Sequence, residues 1–174
     1  KKRFKTKVNG VPYDGKYIFS EMGYNFLPSE ISAAFALEQL KKLNKNISIR
    51  IKNFKFFSNF FKKYSDIFLL PKQTNNVKTG WLAFPLVIKN RKIKRQKLQI
   101  FLENKGIQTR TIFTGNILRQ PMMKNKKYFK HKKSSINSNY VMKNGILIGC
   151  HHGLSNQNLN YICKIFNLFF KKNY

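Results

Sequence analysis

The chain has 174 residues, 42% of them hydrophobic with 17 Phe, which is enough for one domain with a real core and excludes a disordered segment. Against 6 Asp and Glu stand 35 Lys and Arg, a formal net charge of +29 that ordinarily points to nucleic acid or an anionic surface. No apolar run approaches the roughly 20 residues of a membrane span, and the opening KKRFKTKVNG lacks the apolar stretch of a signal peptide. The basic residues are scattered through every segment and accompanied by abundant Asn, Ile and Phe. That pattern fits a bias in composition better than a dedicated nucleic-acid surface, and it favours anionic ligands either way. The chain begins with Lys1 and is expected to be a piece of something longer. Cys150 and Cys163 form no metal pattern and are expected to be buried free thiols of a cytosolic protein.

Residues 1 to 22 are basic, then aromatic, with Tyr13, Tyr17 and Phe19 alternating with Lys16, Ile18 and Ser20. Gly23-Tyr24-Asn25 reads as a turn. Pro28-Ser29-Glu30 opens a helix: Pro suits a helix start, Ser29 can cap it, and Glu30 sits near the positive end. Ile31, Ala34, Phe35, Leu37 and Leu40 recur close to a 3.6-residue period, which predicts one buried face. Ser32, Ala33, Ala34 and Ala36 are small and would let another element approach closely. The pattern continues through Ile47, Ile51, Phe54, Phe57, Phe60 and Phe61 to about Tyr64, with a bend predicted at Asn44-Lys45-Asn46.

Ile67 to Leu70 is short and apolar, and Pro71 ends it. WLAFPLVI, residues 81–88, reads as a strand in which Pro85 argues for an edge or a bulge. RKIKRQKLQIFLENKG has helical spacing at Ile93, Leu98, Phe101 and Leu102, and Gly106 is a natural stop. IQTRTIF alternates and predicts a strand. The loop TGNILRQP and a lysine-rich stretch to Lys133 follow, then a short helix from Ile136 to Lys143. ILIGC is a further buried strand, HHGLS a turn, and residues 156–171 a helix with Leu159, Ile162, Ile165, Phe166 and Phe169 on one face. There is no internal repeat and no linker, so residues 1–174 read as one α+β domain, a small sheet covered by helices.

Three segments carry a family resemblance: GYNFLPSEISAAF, GIQTRTIFTGNILRQP and ILIGCHHGLS. The first resembles the G-Y-N-x-x-x-[ST]-[DE]-x-x-A-A stretch of the DegT-type (DegT/DnrJ/StrS) sugar aminotransferases, fold-type I enzymes dependent on pyridoxal phosphate (PLP). The second is similar to the G-I-x-T-R-x-x-F-x-G-N-x-x-R-Q-P block of the NDP-4-keto-6-deoxyhexose 3-dehydratase branch, where ordinary sugar aminotransferases tend to show P-L-H-x-Q-P. YDGKYIFSEMGYN and the upstream Lys2-Arg3-Phe4 resemble the same branch. The likeness runs from about Arg3 to Phe170. It implies the C-terminal small domain of a fold-type I enzyme, with a small, mostly antiparallel sheet and a long helix near its start. The implied activity is removal of the C3 hydroxyl from a nucleotide-linked 4-keto-6-deoxyhexose in deoxysugar or lipopolysaccharide biosynthesis. Pyridoxamine phosphate would serve as electron sink. A sugar-nucleotide aminotransferase of the same family is the alternative, and a basic nucleic-acid-binding module a further one.

The resemblance also assigns residues. Asn25, a turn residue on its own chemistry, matches the family Asn that reaches the PLP phosphate of the neighbouring subunit, which implies a homodimer; an amide N–H₂ donates to phosphate without adding charge. Where relatives carry Arg, this chain has Leu27. Arg110 and Arg119 flank Asn116, and guanidinium forks suit phosphate or hydroxyl recognition, an intradomain ion pair being the plainer role. Asn116 either donates to a sugar hydroxyl or caps the helix after it. His151 matches a variable substrate-side position in the family's L-P-x-x-P-G-L turn, where its imidazole touches a hydroxyl or simply packs. Gly149 and His152 replace the two prolines of that turn, so proline does not stiffen it here. His151-His152 is too sparse for a metal site, and His131 lies in a lysine run and reads as solvated. No residue of the chain reads as the catalytic base. The Schiff-base Lys (or the His that replaces it in dehydratases), the Asp at the pyridine nitrogen and any iron–sulfur cysteines are expected upstream of Lys1.

Overall fold

The computed structural model describes residues 7–8, 11–12, 24, 26–123 and 135–173. The aromatic approach from Tyr13 and the lysine-rich run with His131 therefore lie outside the described residues. By its internal packing the chain divides into two units, Lys1–Lys41 and Lys42–Tyr174.

In the first unit, β1 (Lys7–Val8) pairs antiparallel with β2 (Val11–Pro12). Helix α1 (Glu30–Phe61) begins here and runs on into the second unit. Ser29 caps it as expected, its Oγ accepting the Ser32 N–H at 3.2 Å. The apolar face predicted as buried is not. Ile31 is 84% exposed, and Phe35, Leu37 and Leu40 are also exposed. Periodicity shows that a helix has an apolar face; it does not say that this chain covers it. Helix α1 runs unbroken through Asn44-Lys45-Asn46.

The second unit holds a four-stranded antiparallel sheet in the order β3 (Phe68–Leu69), β4 (Ala83–Ile88), β6 (Gly145–Gly149), β5 (Thr109–Arg110). Pro85 lies inside β4, in unbroken register opposite Leu147, so there is no bulge. Strand β3 ends its pairing at Leu69–Val87 and does not reach Pro85, which leaves the proline at a local edge. The strand predicted over IQTRTIF shrinks to Thr109–Arg110, and three residues further on Phe113 takes a left-handed φ of 45°.

Helices α2 (Arg95–Glu103), α3 (Ile136–Asn144) and α4 (Asn156–Asn173) complete the unit. Helix α2 ends as Gly106 predicts. Gly106, at φ 72°, gives its N–H to the Glu103 carbonyl, while Ile107 reaches back to Leu102. Both Leu102 and Ile107 are buried at that closure. Helix α4 opens with reciprocal bonds between Ser155 and Asn158, which satisfy N–H groups of its first turn. The core joins Phe54, Phe57 and Phe61 of α1 to Phe84, Leu86 and Ile88 of β4, Ile146 and Ile148 of β6, and the apolar face of α4. Phe61 is its hub: it stacks on Phe84 at 5.5 Å and meets Phe166 edge-on at 4.9 Å. Such aromatic pairs add roughly 0.5–1.5 kcal/mol beyond the area they bury.

A candidate anion-binding cleft between β5, β6 and the start of α4

The second unit holds a cleft of about 970 Å³ whose lining includes Arg110, Phe113, Gly149, His151, Asn158 and Tyr161. That volume suits a ligand well beyond a single ring. Arg110 reaches it from β5, where its backbone pairs with Leu147, and its side chain is exposed. Strand β5 is pinned at its start by one of the chain's few acids. Glu103 Oε1 accepts the Thr109 N–H at 2.6 Å and its hydroxyl at 2.8 Å. With that carboxylate turned to Thr109, no ion pair to Arg110 occurs among the described residues. The guanidinium is thus open to an anion.

His151 follows β6 in the turn to α4 and is exposed to the cleft. Its Nδ1 accepts the Gly153 N–H at 3.2 Å, which leaves Nε2 as the nitrogen the turn does not engage. The peptide carbonyl of His151 accepts the buried Asn53 amide from α1 at 2.9 Å. One residue earlier, the Cys150 thiol points to the Arg50 carbonyl at 3.8 Å. Burial pushes the Cys150 thiol up to about 12, Arg50 opposing the shift, and burial does the same at Cys163 against Lys63. Both cysteines are free and buried.

The remaining candidates sit elsewhere. Asn116 is 3% exposed, and its Oδ1 accepts the Leu118 N–H at 3.1 Å. Its amide N–H groups go to Ser135 Oγ at 3.0 Å and Asn139 Oδ1 at 2.8 Å. Of the two roles open in the sequence, this geometry is the cap, and both donor hydrogens are engaged within the domain. Arg119 is exposed and its Nε donates to the same Asn139 Oδ1. Neither Asn116 nor Arg119 lines the cleft. Asn25 lies outside the described residues. Asn53 and Glu103 were not singled out in the sequence. Each is a polar residue in an ordinary helical context, and the partner that gives it meaning is remote or across a turn.

The sequence profile described as the DegT/DnrJ/EryC1/StrS aminotransferase family matches residues 1–167. The lipopolysaccharide biosynthesis protein RfbH of Salmonella typhimurium is 31% identical over 176 residues, covering 99% of this chain and 40% of that protein. A GDP-4-keto-6-deoxy-D-mannose 3-dehydratase of Escherichia coli O55:H7 is 36% identical over 153 residues, 84% of this chain and 38% of that one. The solved E. coli GDP-4-keto-6-deoxy-D-mannose-3-dehydratase with bound hydrated PLP superposes with a TM-score of 0.74 at 33% identity, over 93% of this chain and 42% of that chain. The α+β fold is thus shared with a PLP enzyme, and the chain spans about 40% of the length of the curated relatives it matches. Among the described residues no helix is long and apolar enough to cross a membrane. With the three sequence motifs, the fold and the profile match in agreement, the chain belongs to the DegT/DnrJ/EryC1/StrS aminotransferase family.

Proposed function

We propose that this chain is the C-terminal portion of a cytoplasmic, PLP- or PMP-dependent enzyme that removes the C3 hydroxyl of a nucleotide-linked 4-keto-6-deoxyhexose. The supporting observation is that Arg110 and His151 share one cleft in a chain 36% identical to a GDP-sugar 3-dehydratase. In this reading Arg110 takes the diphosphate, for which a guanidinium fork offers directional, charge-assisted donors. His151 gives a hydrogen bond to a sugar hydroxyl. Asn25 reaches the cofactor phosphate of a second subunit, so the whole enzyme is a two-fold dimer. An active monomer in light scattering would remove that last element.

Among the described residues lining the cleft there is no lysine to form an imine and no carboxylate to face a pyridine nitrogen. The cleft by itself does not fit the cofactor ring, and its own chemistry is that of the substrate's anionic end. The test uses full-length enzyme, cofactor, an amino donor and GDP- or dTDP-linked 4-keto-6-deoxyhexose, with mass spectrometry of the sugar. A 3-deoxy product is expected. An amino sugar that keeps its C3 hydroxyl would move the enzyme to the aminotransferases. Failure to turn over either sugar, with duplex-DNA binding that survives physiological salt, would favour the basic module instead. Arg110→Ala should weaken nucleotide-sugar binding about 10- to 100-fold, since a hydrogen bond to a charged group is worth about 1.5–3 kcal/mol.

A further inference from the structure

The geometry points to Asn53 as the positioning residue of the cleft: through its bond to the His151 carbonyl it fixes the turn that orients the His151 imidazole. Asn53 lies in the stripe of α1 that faces the core, beside Phe54 and one turn from Phe57. An apolar side chain would continue that stripe. A buried amide is instead a cost unless it is bonded. At 2% exposure, Asn53 meets that cost by donating to His151 O, 98 positions away in sequence. The same carbonyl also accepts the Leu154 N–H at 3.2 Å, so one atom joins α1 to both ends of the turn.

The imidazole occupies a slot that Gly153 leaves open, with Gly149 only at ordinary contact distance. A Cβ placed on Gly153 would come within 3.1 Å of Nδ1, and one on Gly149 within 3.5 Å of Cδ2. Gly153 has no left-handed φ, so what its missing side chain supplies is room. Its N–H then engages Nδ1 and sets the tautomer, leaving Nε2–H for a ligand. No proline stiffens this turn, whose residues are Gly149, Cys150, His151, His152 and Gly153. Here rigidity comes from the side: the Asn53 amide, with the Cys150 thiol against the Arg50 carbonyl one residue earlier. Asn53 does not line the cleft, so any effect on a ligand passes through His151.

The test is Asn53→Leu in the full-length enzyme with isotopically labelled histidine. In the parent, ring-nitrogen NMR should show His151 as one tautomer with Nδ1 bare. In the variant the two tautomers should mix. Nucleotide-sugar affinity should fall roughly 3- to 10-fold, the share of one neutral hydrogen bond, with cofactor affinity unchanged. Only this affinity effect rests on the substrate reading above. A shifted imidazole with unchanged affinity supports the positioning role and removes His151 from sugar recognition. Ring resonances identical to the parent's would overturn the inference, whatever the substrate. Should the leucine variant not fold, Asn53→Ala forces no bulk into the stripe and reads the same resonances.

Discussion

Replacing Asn116 with Ala separates the two roles that its sequence context leaves open. The side chain caps the turn Ile117–Arg119 through Leu118 N–H, and such a cap is worth about 1 kcal/mol. Its amide also bonds Ser135 Oγ and Asn139 Oδ1 across to the start of α3, at about 1 kcal/mol each. The abandoned partners soften the loss: Ser135 is only half-buried, and Asn139 keeps the Arg119 Nε. We expect a destabilisation of about 2–3 kcal/mol, near the upper end for a single substitution. For a domain of this size that corresponds to a melting temperature lower by roughly 5–10 °C, read by circular dichroism. An Ala variant that melts like the parent yet binds nucleotide-sugar poorly would refute the capping argument and restore Asn116 to the substrate.

Two glycines with similar backbones should respond differently to alanine. Gly106→Ala meets no atom within 4 Å and should cost only about 1 kcal/mol for its φ of 72°. Gly115→Ala, at φ 67°, drives its Cβ to 2.5 Å from the Met142 side chain, so its urea midpoint should drop well below that of Gly106→Ala. Cys150 and Cys163 should resist a thiol reagent at pH 8 until urea unfolds the chain. Because folding raises both thiols from 9.0 to about 12, the folded state holds their protons more tightly. The thiols' contribution to stability is therefore full below about pH 9 and declines as pH rises towards 12; the difference in melting temperature between the parent and a Cys150→Ala, Cys163→Ala variant should change across that window, and a constant difference would contradict the burial.

The helices of the second unit were legible because their signals are local. Gly106 closing α2 and the apolar spacing of α4 need only neighbouring residues to be read. The strands were legible in place but less so in extent. Nothing in IQTRTIF announces that β5 stops at Arg110 or that Phe113 adopts a left-handed φ. The face at the start of α1 is legible as apolar, but the burial expected of it is not what the structure has: Ile31, Phe35, Leu37 and Leu40 are exposed. For the site, motif spacing picked out Arg110 and His151, which share the cleft, together with Asn116 and Arg119, which do not. A spacing rule registers that residues recur together; it does not separate those that line a cleft from those that do not. Asn53 escaped altogether, because the bond that defines it spans 98 positions.

The register of the sheet also sets a schedule for synthesis. Val87 must wait for its partner Gly145, 58 positions later, and Phe61 waits longer still for Phe166. At roughly 5–20 residues per second on the ribosome, β4 stands without β6 for about 3–12 seconds. During that interval Phe54, Phe57, Phe61, Phe84 and Leu86 are tethered close together with no α4 to cover them. Closing a loop that long is entropically slow relative to helix formation, so α1 is ready well before its sheet. The nascent chain thus shows its most aromatic surface at the moment when it has least to pack against. It is there, rather than in the finished fold, that a chaperone would find its strongest grip.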